Sequence, residues 1–238
     1  MQIFRVFLEF DDSTRSQIKL PKEDSHHLVN VLRLKIGSIF EVVNLKDNKV
    51  YKATLIEINK EYFAEVLEEI SISLPSKNIS IIFSICKGDK NEVMLEKCTE
   101  LGVNSFIFYK SDKSETNLNS NKIERLKKIA YSAACQSKRN SIPKIFFIES
   151  KADLENIINF DFQDSLKLIC SLQDKSQKIS RDKKYILIAI GPEGDFSGVE
   201  YDFFKKLNFM PISLGNNILR SETAAICAVA KLSDDYLC

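Results

Sequence analysis

The chain has 238 residues, a hydrophobic share of 44% and a formal net charge of +1, enough for one large domain or two modest ones with a real core. No apolar run approaches the ~18 residues of a membrane span. Met1–Phe10 carries Arg5 and Glu9 where a secretory signal would be apolar, so a soluble, cytoplasmic chain is expected.

The first 73 residues read as short strands. Ile3–Leu8, Ile39–Val43, Val50–Ile58 and Tyr62–Leu67 are rich in β-branched and aromatic residues. In the third, Tyr51, Ala53 and Leu55 alternate with Lys52, Thr54 and Ile56, the period of a two-faced strand. Asp24–Leu34 places Leu28, Val31 and Leu32 at helical spacing. A small β-barrel with one helical insertion fits this order. Ser71–Asn78, with Leu74-Pro75-Ser76-Lys77, is polar, contains Pro and precedes a change of pattern. It divides the chain into an expected domain over 1–73 and another over 74–238.

From there strands alternate with helices. Ile79–Ile85, Ser105–Tyr109, Lys144–Ile148, Leu166–Leu172, Tyr185–Ile190 and Pro211–Leu214 are short, nearly continuous apolar runs, as in strands buried on both faces. Asp89-Lys90-Asn91-Glu92 and Ser197-Gly198-Val199-Glu200 have the form of capping boxes. Ile123, Leu126, Ala130, Ala133 and Ala134 share one helix face, and Ala224–Leu237 reads as the last helix. The pattern predicts an α/β domain with an open, mainly parallel sheet.

The six cysteines, Cys86, Cys98, Cys135, Cys170, Cys227 and Cys238, form no C-x-x-C pair and none stands at zinc spacing with a histidine. Reduced thiols and no metal are expected. Charge is uneven: residues 1–73 hold 10 basic against 12 acidic side chains, residues 110–145 hold 9 against 3. The second segment is a local positive footprint suited to phosphates, although a solvated Lys-rich helix face has the same composition. His26 and His27 could join such a footprint or serve as ordinary structural residues.

In an open α/β sheet, ligands bind beyond the carboxyl ends of strands. Two late loops stand there. Gly191-Pro192-Glu193-Gly194-Asp195 gathers two of the seven glycines around a proline and acids. Leu214-Gly215-Asn216-Asn217-Ile218-Leu219-Arg220-Ser221-Glu222-Thr223 leads into the last helix, and its apolar and amide groups suit a flat heterocycle. The first strand–helix turn carries Cys86-Lys87-Gly88-Asp89 in place of G-x-G-x-x-G, and the chain has no Walker A, H-E-x-x-H or G-x-S-x-G sequence. Dinucleotide, phosphate-loop, zinc-protease and hydrolase readings therefore lack support.

Gly191-Pro192-Glu193-Gly194, then Leu214-Gly215 through Ile218-Leu219-Arg220-Ser221-Glu222-Thr223-Ala224, resembles the SPOUT methyltransferases, and more closely the RsmE family. His27 through Val31-Leu32-Arg33 and Gly37, Lys97 through Glu100-Leu101-Gly102-Val103, and Gln136, Arg139 and Pro143 extend the resemblance over almost the whole chain. Ser111-Asp112-Lys113-Ser114 departs from the family's Ser-Glu-Arg-Ser-like stretch, and Lys lacks the planar fork with which Arg grips phosphate. Asp195 stands where a third glycine is common, and Ser221 where Thr is common.

The resemblance implies a PUA-like β-barrel over 1–73, a trefoil-knotted SPOUT domain over 74–238, and a homodimer. It implies methylation of N3 of a uridine in 16S ribosomal RNA of the small subunit, with S-adenosyl-L-methionine as cofactor. Leu172, Gly191, Pro192, Glu193, Gly194, Leu214, Gly215, Asn217, Ile218, Leu219 and Thr223 would then hold the cofactor. Arg220 would stabilise charge on the uracil oxygens, and Glu222 or Glu193 would accept the proton. Arg5, Arg33, Lys113, Lys122, Arg125, Lys128, Gln136 and Arg139 would contact RNA. Two rival readings are an inactive PUA/SPOUT-type RNA-binding module and an α/β enzyme acting on a small metabolite.

Overall fold

The computed structural model describes residues 3–11, 16–73, 75–114, 116–171 and 183–233. Leu172, Cys238 and the expected helical residues after Ser233 lie outside them. The chain forms two compact units: Met1–Leu74 with Ala134–Ile142, and Pro75–Ala133 with Pro143–Cys238.

The first unit is a five-stranded mixed sheet. Its strands are β1 (Arg5–Leu8), β2 (Gln17–Lys19), β3 (Ile39–Asn44), β4 (Val50–Ile58) and β5 (Glu61–Ile70), in the order β1-β3-β4-β5-β2. β1 runs parallel to β3, and the other pairs are antiparallel. The alternation in β4 holds: Tyr51, Ala53 and Leu55 are fully buried with Val6, Leu8, Leu28 and Phe40. β2 has a single buried residue, Ile18, too little to register as a pattern. The expected single helix is instead α1 (Lys22–His26) continued by a π-helical turn, His27–Val31. Arg33 follows with φ +55°, a left-handed conformation that ends the helical run.

The second unit is a six-stranded sheet, all parallel. In chain order it contains β6 (Asn78–Ser84), α2 (Lys90–Glu100), β7 (Ser105–Tyr109), α3 (Ser120–Gln136, whose last three residues belong to the first unit), β8 (Lys144–Ile148), α4 (Lys151–Asp161), β9 (Leu166–Cys170), β10 (Tyr185–Ile190), α5 (Gly198–Lys206), β11 (Met210–Ile212) and α6 (Ser221–Leu232). The strand order is β11-β9-β10-β6-β7-β8. Successive side chains of one strand face opposite sides. Ile186, Ile188 and Ile190 pack with Met94, Leu95 and Val229 of α2 and α6, while Leu187 and Ala189 pack with Leu154, Ile158 and Phe204 of α4 and α5. Both faces are thus covered, which is why these strands read as continuous apolar runs.

Two local expectations change. α2 has Asp89 at its N-cap position without a side-chain cap bond. Asn91 instead reaches back to the turn, accepting from Cys86 N at 3.0 Å and donating to Cys86 O at 2.6 Å. The last helix begins at Ser221, not Ala224. Because all strands of this sheet are parallel, the loops leaving β6, β9, β10 and β11 emerge along one edge, and the site lies there.

Candidate active site

β10 runs directly into Gly191-Pro192-Glu193-Gly194-Asp195. Asp195 N donates to Pro192 O at 2.9 Å, closing a tight turn in which Asp195 has φ +59°. The Asp195 carboxylate is held by Phe196 N at 2.8 Å and by Tyr201 Oη at 2.9 Å. A Cβ on Gly191 would sit 3.0 Å from Asp195 Oδ1 and 3.1 Å from Phe196 N. Only glycine lets this turn fold so closely onto itself.

The second loop, residues 213–220, follows β11. Gly215 has φ +138°, a conformation that side-chain-bearing residues rarely adopt. Gly215 N donates to Ser213 Oγ, and Lys231 Nζ from α6 donates to Leu214 O at 2.9 Å. With the ends of β9 and β10, this loop encloses a cavity of about 220 Å³. Of the residues expected to hold a cofactor, Gly191, Pro192, Glu193, Leu214, Gly215, Asn217, Ile218 and Leu219 line it. Gly194 and Thr223 do not line it, and Leu172 lies outside the described residues.

The cavity has apolar walls, Ile190, Ile212, Leu214 and Leu219, and an edge of loop backbone. A flat heterocycle fits such a slot, stacked on aliphatic groups and hydrogen-bonded by main-chain atoms. Sequence reasoning missed Cys170, Ser171 and Ser221, which also line it. Strand ends carry no motif of their own; only the parallel register brings these residues beside the two loops. Burial pushes the Cys170 thiol up to about 12, with Cys227 and Asp195 adding to the rise, so it stays a neutral wall.

The three residues expected to do chemistry differ in setting. Glu193 lines the cavity and forms an ion pair with Lys90 of α2. Arg220 is exposed in an extended conformation immediately before α6 and makes no cap bond. Glu222 lies in the first turn of α6, and its Oε2 is buried without a hydrogen-bond partner. At the end of β6, burial pushes the Cys86 thiol up; a hydrogen bond from Ser221 and the charge of Lys90 oppose the rise, and Glu222 reinforces it.

A polar cluster braces the loop from behind. Glu200, fully buried, accepts from Ser197 N and Asp112 N, each at 2.9 Å. Asp112 accepts from Ser197 Oγ at 2.6 Å and from Lys151 Nζ at 2.9 Å. The hydrogen bond from Ser197, then the Lys151 ammonium, hold the Asp112 carboxyl below the usual carboxylate range. Lys113 donates to Gly194 O at 2.6 Å, so this side chain touches the glycine-rich loop itself.

The other expected RNA contacts fall into two groups. Lys122, Arg125 and Lys128 are exposed on α3, and Arg125 is paired with Glu92 at 2.7 Å. Arg33, Gln136 and Arg139 belong to the first unit, where Arg33 and Gln136 are exposed. Arg5 is buried: it donates to Glu41 at 2.8 Å and to the carbonyl oxygens of Lys138 and Arg139. Among the described residues no cluster of three or more His, Cys, Asp or Glu could hold a metal, and no helix is long and apolar enough to cross a membrane.

Comparison with known proteins gives a consistent picture. Residues 73–233 match the family model of an RNA methyltransferase domain, and residues 20–67 that of an RNA methyltransferase PUA domain. Ribosomal RNA small subunit methyltransferase E of Buchnera aphidicola subsp. Acyrthosiphon pisum is 32% identical over 97% of this chain and 93% of its own length. Its Bacillus subtilis counterpart is 30% identical, covering 96% of this chain and 95% of its own. The crystal structure of ribosomal RNA small subunit methyltransferase E from Neisseria gonorrhoeae, bound to S-adenosyl methionine, superposes with a TM-score of 0.86 at 28% identity, covering 97% of each chain.

Proposed function

The chain belongs to the RNA methyltransferase family of ribosomal RNA small subunit methyltransferase E, and from that premise we propose that it transfers a methyl group from S-adenosyl-L-methionine to N3 of a specific uridine in 16S ribosomal RNA. The observation that carries this reading is the cavity at the carboxyl edge of the parallel sheet. Its walls are the two late loops that mark the family, and its apolar slot fits an adenine. The substrate is the assembled small subunit in the cytoplasm, and the working form is a homodimer whose C-terminal segment is knotted, as in SPOUT relatives. In the order β11-β9-β10, β10 and β11 are consecutive in the chain yet separated by β9, an order consistent with that threading.

The bound cofactor supplies a methyl on a sulfonium; as the nitrogen–carbon bond forms, the carbon–sulfur bond breaks and its electron pair stays on sulfur. The protein must hold the uracil ring at near-attack distance, take the N3 proton and stabilise the anion that forms. Ile190, Ile212, Leu214 and Leu219 hold the flat group and exclude water. Arg220, exposed between the cavity residues Leu219 and Ser221, makes no ion pair among the described residues, so its positive charge is available to the uracil oxygens. Glu222 and Glu193 are the carboxylates available for the proton. Lys122, Arg125 and Lys128 neutralise phosphates, giving affinity without sequence information.

The test is transfer of labelled methyl to small subunits from a strain lacking this gene, with large subunits and transfer RNA as controls. Label recovered as 3-methyluridine from small subunits alone supports the full reading. Label on another nucleoside keeps the methyltransferase and removes the N3 assignment. No cofactor binding at millimolar concentration leaves an RNA-binding module as the better account.

A further inference from the structure

The loop Gly191–Asp195 has a front and a back. Gly191, Pro192, Glu193 and Asp195 line the cavity, and Gly194 does not. A Cβ built on Gly194 would instead stand 3.4 Å from Lys113 Cδ. The Lys113 stem therefore lies against the back of the loop. Its ammonium donates to Gly194 O at 2.6 Å and reaches Phe196 O at 3.5 Å. A hydrogen bond from a charged donor is stronger than one between neutral groups. Among the described residues no carboxylate pairs with Lys113, so main-chain oxygens are what it holds.

Lys113 stands on a fixed base. It lies inside the turn Ser111–Ser114, where Ser114 N donates to Ser111 O at 2.9 Å and Ser111 N to Ser114 Oγ at 3.1 Å. Beside it, Asp112 N donates to the buried Glu200, and the Asp112 carboxylate accepts from Ser197 Oγ. The turn after β7 is thus tied to the start of α5, and it clasps the loop that joins β10 to α5. Within that loop the Asp195 side chain is pinned by Phe196 N and Tyr201 Oη. Gly194 has no side chain with which to brace itself, and its carbonyl is held from outside.

We propose that Lys113 is a positioning residue for the cofactor, acting through the Gly194 carbonyl to keep the loop wall in its binding shape, and that it is not a phosphate contact. The inference rests on S-adenosylmethionine occupying the cavity, as proposed above, and on no particular target nucleotide. Without the ammonium the loop keeps its internal bond from Asp195 N to Pro192 O, but its back is released from the turn after β7. Cofactor binding must then order it, and affinity falls by the cost of that ordering.

The experiment uses the full chain. Cofactor affinity is measured by calorimetry, subunit binding without cofactor at several salt concentrations, and methyl transfer on small subunits lacking the methyl group. Lys113→Met keeps a stem and removes the charge. Because the bond is open to solvent, the Kd for S-adenosylmethionine is expected to rise by about three- to tenfold. KM for the cofactor rises with it, while kcat at saturating cofactor stays within about twofold of the parent, as when only binding is lost. The slope of log affinity for subunits against log salt keeps the parent value, whereas loss of a phosphate contact would lower it by roughly one unit. Lys113→Arg restores charged donors and is expected to recover most of the cofactor affinity.

Unchanged cofactor affinity in Lys113→Met overturns the proposal, and a flattened salt dependence in the same variant makes Lys113 a phosphate contact instead. Equal loss of cofactor affinity in the Met and Arg variants also overturns it, because a positive charge would then not be what holds the loop. In these cases a parent protein that binds S-adenosylmethionine keeps the proposed function, and only this inference falls. A parent that binds none removes that reading and this inference together.

Discussion

At the scale of single residues, Arg5 and Glu41 form a buried ion pair whose side chains are 7% and 11% exposed. Removing one partner of such a pair leaves an uncompensated charge, at a cost of about 3–5 kcal/mol. Arg5→Met should therefore lower the denaturant midpoint strongly, and Arg5→Met with Glu41→Leu should recover most of the loss. The resemblance implied Arg5 as an RNA contact on the N-terminal domain. What it could not display are the carbonyl oxygens at positions 138 and 139, more than 130 residues away, that receive its guanidinium. Gly191 was legible as a close-approach glycine, and its reason is now specific. Gly191→Ala drives a methyl onto Asp195 and Phe196, a clash worth about 1–3 kcal/mol, and calorimetry should show S-adenosylmethionine affinity reduced by about tenfold or more. Asp112 adds a pH effect. Its folded carboxyl titrates below the unfolded value of 3.8, so its contribution is present above that value and lost as pH falls through the folded one. The stability difference between parent and Asp112→Asn should shrink as denaturation is followed from neutral pH into the acid range.

Among the elements, α5 carries the clearest local signal. Ser197 and Glu200 make the reciprocal capping box expected of them. Ser197→Ala should cost about 1 kcal/mol, read as a shift in the unfolding midpoint, and should also free Asp112 from one of its two donors. The strands of the second unit were legible because a sheet covered on both faces needs apolar residues at every position. The helix α4 was not anticipated, although Ser150 caps it by accepting from Asp153 N. Its Leu154 and Ile158 are buried between long polar stretches, and two anchors make a thin period. The Asp89 box failed for a different reason. The motif was present, but Asn91 bonds the turn at Cys86, five residues back, a local competition that the spacing of the box does not encode. The loops of the site were legible as motifs, whereas the β9 end and Lys90 entered only through the sheet order.

For the whole molecule, association with RNA should follow the charge on α3. Among the described residues Lys122 and Lys128 make no ion pair, while Arg125 is paired with Glu92. Lys122→Gln and Lys128→Gln should each weaken subunit binding regardless of sequence and flatten its dependence on the logarithm of salt by roughly one unit. Titrations at several salt concentrations check this. The division of the chain has a consequence of another kind. Residues 134–142 are counted with the first unit, and they supply the oxygen partners of Arg5. The N-terminal unit therefore cannot be finished when its own 74 residues have left the ribosome. Until the segment β6–β7 and the whole of α3 have been made, Arg5 has Glu41 but not its carbonyl acceptors. The first unit is thus completed by residues of its own that are synthesised only after Pro75–Ala133 of the second.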